Sequence, residues 1–295
     1  MVSHDLPPTL VREEMRYWLL RPDPRLRPHV RMYFVVDAVR RQAVKEELLL
    51  PDGYAELIFL IRSGFKRQGI GGDAAASMKR SYLIGGRSHS IVTQDVGDLR
   101  VIGVKLDPRL LHRFIRVPLS EFRDSTLEFR DLNDVRLLDL EDQIAECSRA
   151  ADVAQVLDRF FLKQLAEGMP REPLVDHVLR EIHREHGAGS ITGWARDLGV
   201  DTRTLERKFL AWTGMTPKSY ARIVRFKHSY HQLITLGGRN VRLAQACLDG
   251  YYDQSHFYKD FKYFTGTSPS AIIAERVRCS TAVTNHLLEQ DLSAA

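Results

Sequence analysis

One spaced pattern occurs twice in the last third of the 295-residue chain, and it limits what this part can fold into more than any other feature. The first copy reads Leu205-x3-Phe209-x4-Gly214-x-Thr216-Pro217, and the second reads Phe257-x3-Phe261-x4-Gly266-x-Ser268-Pro269. An alanine followed four residues later by a glycine precedes each copy, as Ala195/Gly199 and Ala246/Gly250. The offsets of 52 and 51 residues indicate two copies of one helical unit.

Each part of the repeat has a structural reason. A small alanine lets one helix approach the next closely, and glycine closes the turn between them because a positive φ costs it little. Asp201 and Asp253 follow the turns and are predicted to cap the next helices. Apolar residues at i and i+4 place one face of each helix in the core and leave the positions between them exposed. The pattern predicts two helix-turn-helix units, joined by a helix over residues 220–234.

The positive charge of the chain is concentrated in the same region. Residues 171–280 contain 17 lysines and arginines against 11 aspartates and glutamates, whereas the whole chain has a net charge of +5. Such an excess is typical of a domain that faces a polyanion. The exposed positions of the second helix in each unit are rich in Arg, Lys, Gln, Ser, Thr and His, which donate hydrogen bonds to base edges and phosphates. We therefore expect double-stranded DNA as the partner.

Residues 190–275 resemble the DNA-binding domain of the AraC/XylS transcription regulators. The resemblance is strongest at residues 250–257 (GYYDQSHF) and at the Gly-Thr-Ser-Pro of residues 266–269, while Lys259 stands where the family commonly has arginine. It implies two recognition helices in successive major-groove turns of promoter DNA. We expect an activator that acts with RNA polymerase. The residues predicted to contact DNA are Thr202, Arg203, Thr204, Arg207, Lys208, Gln254, Ser255, His256 and Lys259.

The first part of the chain is predicted to be β-structure. Short runs rich in β-branched and aromatic residues occur at 31–36, 55–61, 81–84 and 100–106. Turn-forming clusters separate the runs, among them Ser63-Gly64 and Gly97-Asp98. This spacing favours a small sandwich or barrel. Amphipathic helices are predicted after Asp107, after Asp134 and through Val153 to Leu165.

The sequence thus predicts an α+β chain in three parts. They are a β-rich effector-sensing and dimerisation domain at 1–168 with helices after about residue 107, a DNA-binding domain at 169–280, and a tail at 281–295. Segments of the first part, at 26–33, 50–59 and 83–86, resemble the N-terminal domain of a subgroup of the same regulators. That resemblance implies a cupin-like β-barrel or sandwich, followed by helices that often mediate dimerisation.

Six arginines crowd into residues 12–31. Arginine forks bind phosphate in a bidentate manner and stack on planar bases. The Arg-x3-Arg spacings resemble the nucleotide-clamping element of PilZ-type cyclic di-GMP receptors, although the partner motif of that family is absent. A phosphate-rich effector such as cyclic di-GMP is one hypothesis, and arginines that are solvated or paired with nearby acids are the alternative. The predicted effector-binding residues are Arg21, Arg25, Arg27 and Arg31.

A metal site or enzyme is not expected from the β region. His29, His89 and His112 lie far apart and lack the His-x-His spacing of metal-binding cupins, so we expect no metal and no required cofactor. Glu56 is expected on the solvated face of its strand, with a ligand contact as the alternative. Two other interpretations remain open: a β-barrel enzyme with an accessory DNA-binding module, and a protein-interaction module.

Cysteine content and hydropathy indicate where the protein acts. Cys147, Cys247 and Cys279 form an odd, widely spaced set, so three reduced thiols are expected. The sequence contains no apolar run near the ~18–20 residues of a membrane span and no signal-peptide pattern. We expect a cytoplasmic protein without membrane contact, and a homodimer that binds two half-sites.

Overall fold

The structure, a computed structural model, describes residues 10–12, 15–38, 46–69, 76–116, 118–168, 170–236 and 250–269. The predicted tail lies outside the described residues. The predicted first helix of the second helix-turn-helix unit, with Ala246, also lies outside them, as do Cys247 and Cys279. Within the described part, no helix combines the length and apolar character that crossing a membrane requires.

The first half of the chain folds into an antiparallel sheet. Its described strands are β1 (Leu10–Arg12), β2 (Met15–Leu20), β3 (Val30–Ala38), β4 (Glu46–Leu49), β5 (Ala55–Gly69), β6 (Ala76–Met78), β7 (Tyr82–Ile84), β8 (Ile91–Leu106) and β9 (Thr126–Glu128). The order is β1-β2-β3-β8-β5-β7-β9, while β4 pairs with β8 and β6 pairs with β5. The long strands β5 and β8 pair with each other along most of their length. This β domain, followed by helices, confirms the predicted α+β fold class with a cupin-like N-terminal domain.

Two predicted turns lie inside strands. Ser63-Gly64 belongs to β5, and Gly97-Asp98 belongs to β8. The register between β5 and β8 shifts between Arg62 and Gly64. A Cβ atom at Gly64 would lie 2.0 Å from the carbonyl oxygen of Met78. This glycine therefore marks a close backbone approach in an irregular strand, where the sequence pattern predicted a chain reversal.

Alternation along β3 gives the sheet two apolar faces. Tyr33 and Val35 belong to a core shared with the helices that follow the sheet. Phe34 and Val36 belong to a second core on the opposite face. Successive side chains of a strand point to opposite faces, so one nearly continuous apolar run supplies both cores.

Short helices follow β8. Three 3₁₀ helices span Pro108–Arg113, Leu119–Phe122 and Phe129–Leu132. The segment after Asp107 is therefore a 3₁₀ helix, where a longer amphipathic helix was expected. Two α-helices follow, α1 (Val135–Ala145) and α2 (Ala150–Ala166). Their apolar residues pack on the sheet, so they complete the first core.

The second half is helical in its described part. It contains α3 (Pro173–Arg184), α4 (Ile191–Asp197), α5 (Thr202–Thr213), α6 (Pro217–Leu236) and α7 (Gln254–Thr265). Gly214 and Gly266 end α5 and α7 with φ of 76° and 75°, the left-handed conformation that glycine adopts without strain. The proposed domain boundary near residue 168 lies between α2 and α3, and it stays a prediction.

The two halves pack against each other. Leu50 of the loop before β5 is buried in the apolar core of the helical half. A Cβ atom at Gly53, which has a φ of 82°, would lie 3.0 Å from the Tyr220 ring. The helix α5 lies against the 3₁₀ helix Leu119–Phe122. Sequence reasoning did not predict this interface, because its residues lie on loops and helices far apart in the sequence and share no periodic pattern.

Candidate DNA-binding surface and effector sites

Both recognition helices begin at an aspartate cap. Oδ1 of Asp201 accepts a hydrogen bond from the Thr204 backbone N at 2.8 Å. Oδ1 of Asp253 accepts one from the His256 backbone N at 2.7 Å. The caps satisfy backbone N–H groups that have no partner within the helix. The predicted N-caps are confirmed, and the two units start in the same way.

The face of α5 opposite its core is polar and basic. Leu205 and Phe209 are fully buried in the helical core. The ammonium group of Lys208 lies 3.1 Å from the Glu172 carboxylate, so this lysine already has an ion-pair partner. The predicted DNA contacts on this helix are exposed or half-exposed at Thr202, Arg203, Thr204, Arg207 and Lys208.

Helix α7 is presented in the same manner. Phe257 and Phe261 are buried at the positions equivalent to Leu205 and Phe209. The His256 ring packs on the Tyr251 ring with 5.2 Å between centroids, which limits its rotation. The predicted contacts on this helix are exposed or half-exposed at Gln254, Ser255, His256 and Lys259. Contact of all nine residues with DNA stays a prediction.

An ion cluster that sequence reasoning missed ties α7 to the connecting helix. Asp260 is buried, and its carboxylate accepts from Arg222 Nε at 2.8 Å and from Arg225 Nη2 at 3.4 Å. Both arginines lie on α6. The sequence feature that could have indicated this cluster is an acidic residue directly beside the apolar Phe261. The cluster orients the second recognition helix relative to α6.

The caps give a first testable prediction. Replacing Asp253 by alanine should lower the free energy of unfolding by about 1 kcal/mol, because the cap hydrogen bond is lost. Urea denaturation measures the change. Asp253→Asn is the matched control and should stay close to wild type, since asparagine caps equally well. Equal losses in the two variants would contradict a capping role.

A buried charge cluster lies inside the N-terminal domain. The ammonium group of Lys105 donates to Glu56 Oε1 at 2.6 Å and to the Asp52 carboxylate. Arg87 Nη2 donates to the same Glu56 oxygen at 3.0 Å. All four side chains are buried. The expectation that Glu56 lies on a solvated face is therefore wrong, because two cations compensate the cost of burying its carboxylate.

The cluster keeps its carboxylates ionised. Burial alone would raise the pKa of Glu56, but attraction by Lys105 and then by Arg87 outweighs it and holds this pKa below its usual value. The pKa of Asp52 is lowered in the same way, with a further contribution from Lys227. Lys227 lies on α6 and its ammonium donates to the Asp52 carbonyl at 3.5 Å. The cluster therefore reaches from the β domain to the DNA-binding half.

Two concave sites lie near this cluster. A narrow cavity of about 90 Å³ in the β domain has mostly apolar walls, including Phe34, Ile58 and Val101, and is also lined by Glu56 and Lys105. A wider cleft of about 550 Å³ lies between the two halves. The cleft has the size of ordinary small-molecule sites, whereas the cavity is too small for a nucleotide.

The structure separates the four arginines predicted to bind an effector. Arg27 and Arg31 line the cleft. Arg21 and Arg25 are exposed and do not line it. Arg25 pairs with Asp23 at 3.0 Å, and hydrogen bonding from Arg25 lowers the pKa of Asp23 to about 2. A single clamp of four arginines is therefore not present, because the turn before β3 points the side chains to different surroundings.

The three histidines considered as metal ligands have separate environments. His29 lines the cleft, His89 lies 3.1 Å from Asp124, and the His112 ring packs on Trp212 with 4.7 Å between centroids. In the part of the chain that the structure describes, no group of three or more His, Cys, Asp or Glu side chains is arranged to hold a metal ion.

Comparison with known families assigns the helical half. Residues 194–275 match a protein-family model described as a helix-turn-helix domain. The C-terminal part is an AraC-type helix-turn-helix domain. This assigns residues 194–275 to the DNA-binding helix-turn-helix domains of transcription regulators. Residues 19–128, which precede the AraC-type domain, match a domain of unknown function, DUF6597. No curated protein is similar enough to match.

Among solved structures, an apo variant of ToxT from Vibrio cholerae strain SCE256 is 12% identical, with a TM-score of 0.41, over 89% of this chain and 98% of that chain. ToxT from Vibrio cholerae O395 bound to (E)-4-(8-methylnaphthalen-1-yl)but-3-enoic acid is 10% identical, with a TM-score of 0.42. The match covers 80% of this chain and 99% of that chain. KdgF from Halomonas sp. is 14% identical, with a TM-score of 0.27. The match covers 36% of this chain and 90% of that chain. At these scores the solved structures decide neither the fold nor the function.

Proposed function

We propose that the chain is a sequence-specific transcription activator, with an AraC-type domain that reads promoter DNA and an N-terminal domain that senses a small effector. The observation that carries DNA reading is the pair of recognition helices. Each has an aspartate cap, two buried apolar anchors and an opposite face of basic and hydrogen-bonding side chains. Such faces suit phosphate and base-edge contacts in successive major grooves.

Substitutions on the recognition helices test this proposal. Arg203→Ala and Gln254→Ala should each reduce discrimination between the operator and a mutated site by about 1–3 kcal/mol, or about 5- to 150-fold, because each removes base-edge hydrogen bonds. Gel-shift titrations against the promoters of neighbouring operons, with point-mutated competitors, measure this. Affinity should also fall steeply with rising salt, since phosphate contacts release counterions.

The matched control is Arg130→Ala, which removes the same charge at an exposed position of the N-terminal domain. It should leave both affinity and discrimination unchanged. Wild-type discrimination in Arg203→Ala and Gln254→Ala would contradict the contact assignment. Failure of the wild-type chain to bind any duplex at low salt would contradict the function itself and favour a protein-interaction module.

Effector sensing is supported by the connection between the halves. The β-domain cavity is lined by Glu56 and Lys105, and this charge cluster continues to Lys227 of α6. The helix α6 also carries Arg222, which holds the second recognition helix through Asp260. An effector that altered the charge cluster would therefore act on the element that spaces the two recognition helices.

Two further parts of the proposal concern partners and the effector. A homodimer would place four recognition helices on two half-sites, and operators with two-fold symmetry would support it. RNA polymerase is the proposed partner in activation. We also propose a phosphate-bearing effector. It would bind in the cleft that Arg27 and Arg31 line, and Arg21 and Arg25 would take no part.

A further inference from the structure

The loop between β7 and β8, residues 85–90, belongs to the β domain but contacts the DNA-binding half. Gly86 of this loop packs against Met215, which is fully buried. A Cβ atom at Gly86 would overlap the methyl group of Met215 and would lie 3.7 Å from the Thr213 carbonyl oxygen. Thr213 is the last residue of α5, and Met215 follows two residues later. The β7–β8 loop therefore reaches the C-terminal end of the first recognition helix.

The same loop reaches the second recognition helix. Ser90 is fully buried, and its hydroxyl donates a hydrogen bond to the carbonyl oxygen of Phe264. Phe264 lies in the last turn of α7, where backbone carbonyls have no partner within the helix. A side chain of the β domain therefore completes the hydrogen bonding at the C-terminal end of α7. The two residues are 174 positions apart, so no local sequence pattern indicates this contact.

The β domain contacts the first recognition helix at the matching position. Trp212 occupies in α5 the place that Phe264 occupies in α7, 52 residues later. The ring of His112, from the 3₁₀ helix Pro108–Arg113, packs on the Trp212 ring with 4.7 Å between centroids. Burial lowers the pKa of His112, and hydrogen bonding with the Trp212 backbone opposes this shift. The two helices are thus held by the β domain at the same end.

These contacts leave the DNA-reading ends of the two helices open. All nine predicted DNA contacts lie within the first two turns of α5 and α7, and they are exposed or half-exposed. Contacts at the C-terminal ends can therefore hold the helices without covering the face that would meet DNA. The helix α6 joins the two units through the chain, and the β7–β8 loop adds a second connection between them.

The β7–β8 loop is itself fixed within the β domain. Ser88 donates from its backbone N and from its hydroxyl to the Asp124 carboxylate, at 2.6 Å in each case. Arg87 is buried and donates to Glu56 at 3.0 Å, so the loop continues into the ion cluster beside the β-domain cavity. A loop that is held in this way transmits the position of the sheet to both recognition helices.

We propose that the β7–β8 loop sets the spacing of the two recognition helices, with Ser90 as the positioning residue for α7. Two helices that read successive major-groove turns fit subsites about one turn of DNA apart, or about 10–10.5 base pairs. A fixed spacing raises the affinity for the matching operator, because less conformational freedom is lost on binding. The inference rests on the proposed function, to which it adds the β domain as a determinant of operator spacing.

Gel-shift titrations of the full-length chain with two duplexes test this inference. One is a duplex that wild type selects from a randomised pool, and the other has a single base pair inserted between its two subsites. Wild type should prefer the first duplex, because the insertion shifts and rotates the second subsite. Ser90→Ala should reduce this preference about tenfold, since α7 loses a hydrogen bond to the β domain and can follow the shifted subsite.

The matched control is Ser88→Ala. It removes a hydroxyl from the same loop, but this hydroxyl bonds to Asp124 within the β domain. Ser88→Ala should therefore keep the wild-type preference between the two duplexes. Thermal denaturation of both variants, run in parallel, measures how much stability each hydroxyl contributes, which is a quantity separate from the preference.

The possible outcomes are distinct. An unchanged preference in Ser90→Ala, or an equal reduction in Ser88→Ala, overturns the positioning role. A loss of affinity by the same factor for both duplexes also overturns it, since a structural defect alone would produce that result. Wild type that binds both duplexes equally overturns the inference but leaves DNA reading intact, whereas wild type that selects no duplex overturns the proposed function itself.

Discussion

Replacing Lys105 by methionine should lower the free energy of unfolding by about 3–5 kcal/mol, because it removes the central partner of a buried ion cluster. Lys105 holds both Asp52 and Glu56, and all three side chains are buried. Methionine fills a similar volume, so the loss measures charge and not packing. Two ionised carboxylates would then face Arg87 with little access to water. Thermal and urea denaturation followed by circular dichroism measure the change.

The stability that this ion cluster contributes should depend on pH in a definite direction. The pKa values of Asp52 and Glu56 are lowered in the folded protein, so their stabilising contribution is present above the unfolded values and is lost as the pH falls through the folded ones. Wild type should therefore lose stability below about pH 4. In Lys105→Met, protonation of the carboxylates relieves the buried charge, so its deficit should shrink as the medium becomes acidic.

Two controls keep this test decisive. Lys79→Met makes the same chemical change at an exposed position and should alter stability by less than about 0.5 kcal/mol. Adding Glu56→Gln to Lys105→Met should restore part of the loss, because one buried negative charge is removed. A deficit that is the same at every pH, with no restoration in the double variant, would contradict an electrostatic origin.

The second large effect is expected at the repeated aromatic anchors. Phe261→Ala should lower the free energy of unfolding by about 3–5 kcal/mol, since it empties a fully buried position. The Phe261 ring lies 5.8 Å from Phe226 and 6.0 Å from Tyr230 between ring centroids. Phe209→Ala, the same position of the first unit, should cost a similar amount. Both variants should lose specific DNA binding, because each recognition helix loses its support.

Urea denaturation measures the loss of stability in the two anchor variants, and gel shifts measure their loss of DNA binding. The matched control is Tyr252→Ala, which removes an aromatic ring that is 94% exposed and lies two residues before α7. It should change stability by less than about 0.5 kcal/mol. Wild-type stability in Phe261→Ala would show that α7 is held by other contacts, and DNA binding retained in both anchor variants would show that the helices read DNA without this core.

The local features of the helical half were predictable. Asp201 and Asp253 cap, Leu205 and Phe209 are buried, and Gly214 ends its helix, all as their spacing indicates. These properties depend on interactions within about one or two helical turns, which sequence separation encodes directly. The alternation in β3 is local in the same sense.

Features that depend on distant partners were not predictable. Glu56 follows a pattern that predicts a solvated face, yet Lys105, 49 residues away along the chain, makes its burial possible. Arg27 and Arg25 are near neighbours in sequence, and only the first reaches the cleft.

The sequence by itself therefore determined the repeat, its caps, its apolar anchors and the DNA-binding class. Tertiary structure decided which charges are buried together, how the two halves pack, and where a cleft lined by arginines opens between them. The physical reason is the range of the interactions. Helix caps and i to i+4 faces are set within a single turn, whereas ion pairs and clefts form only when the fold brings distant segments together.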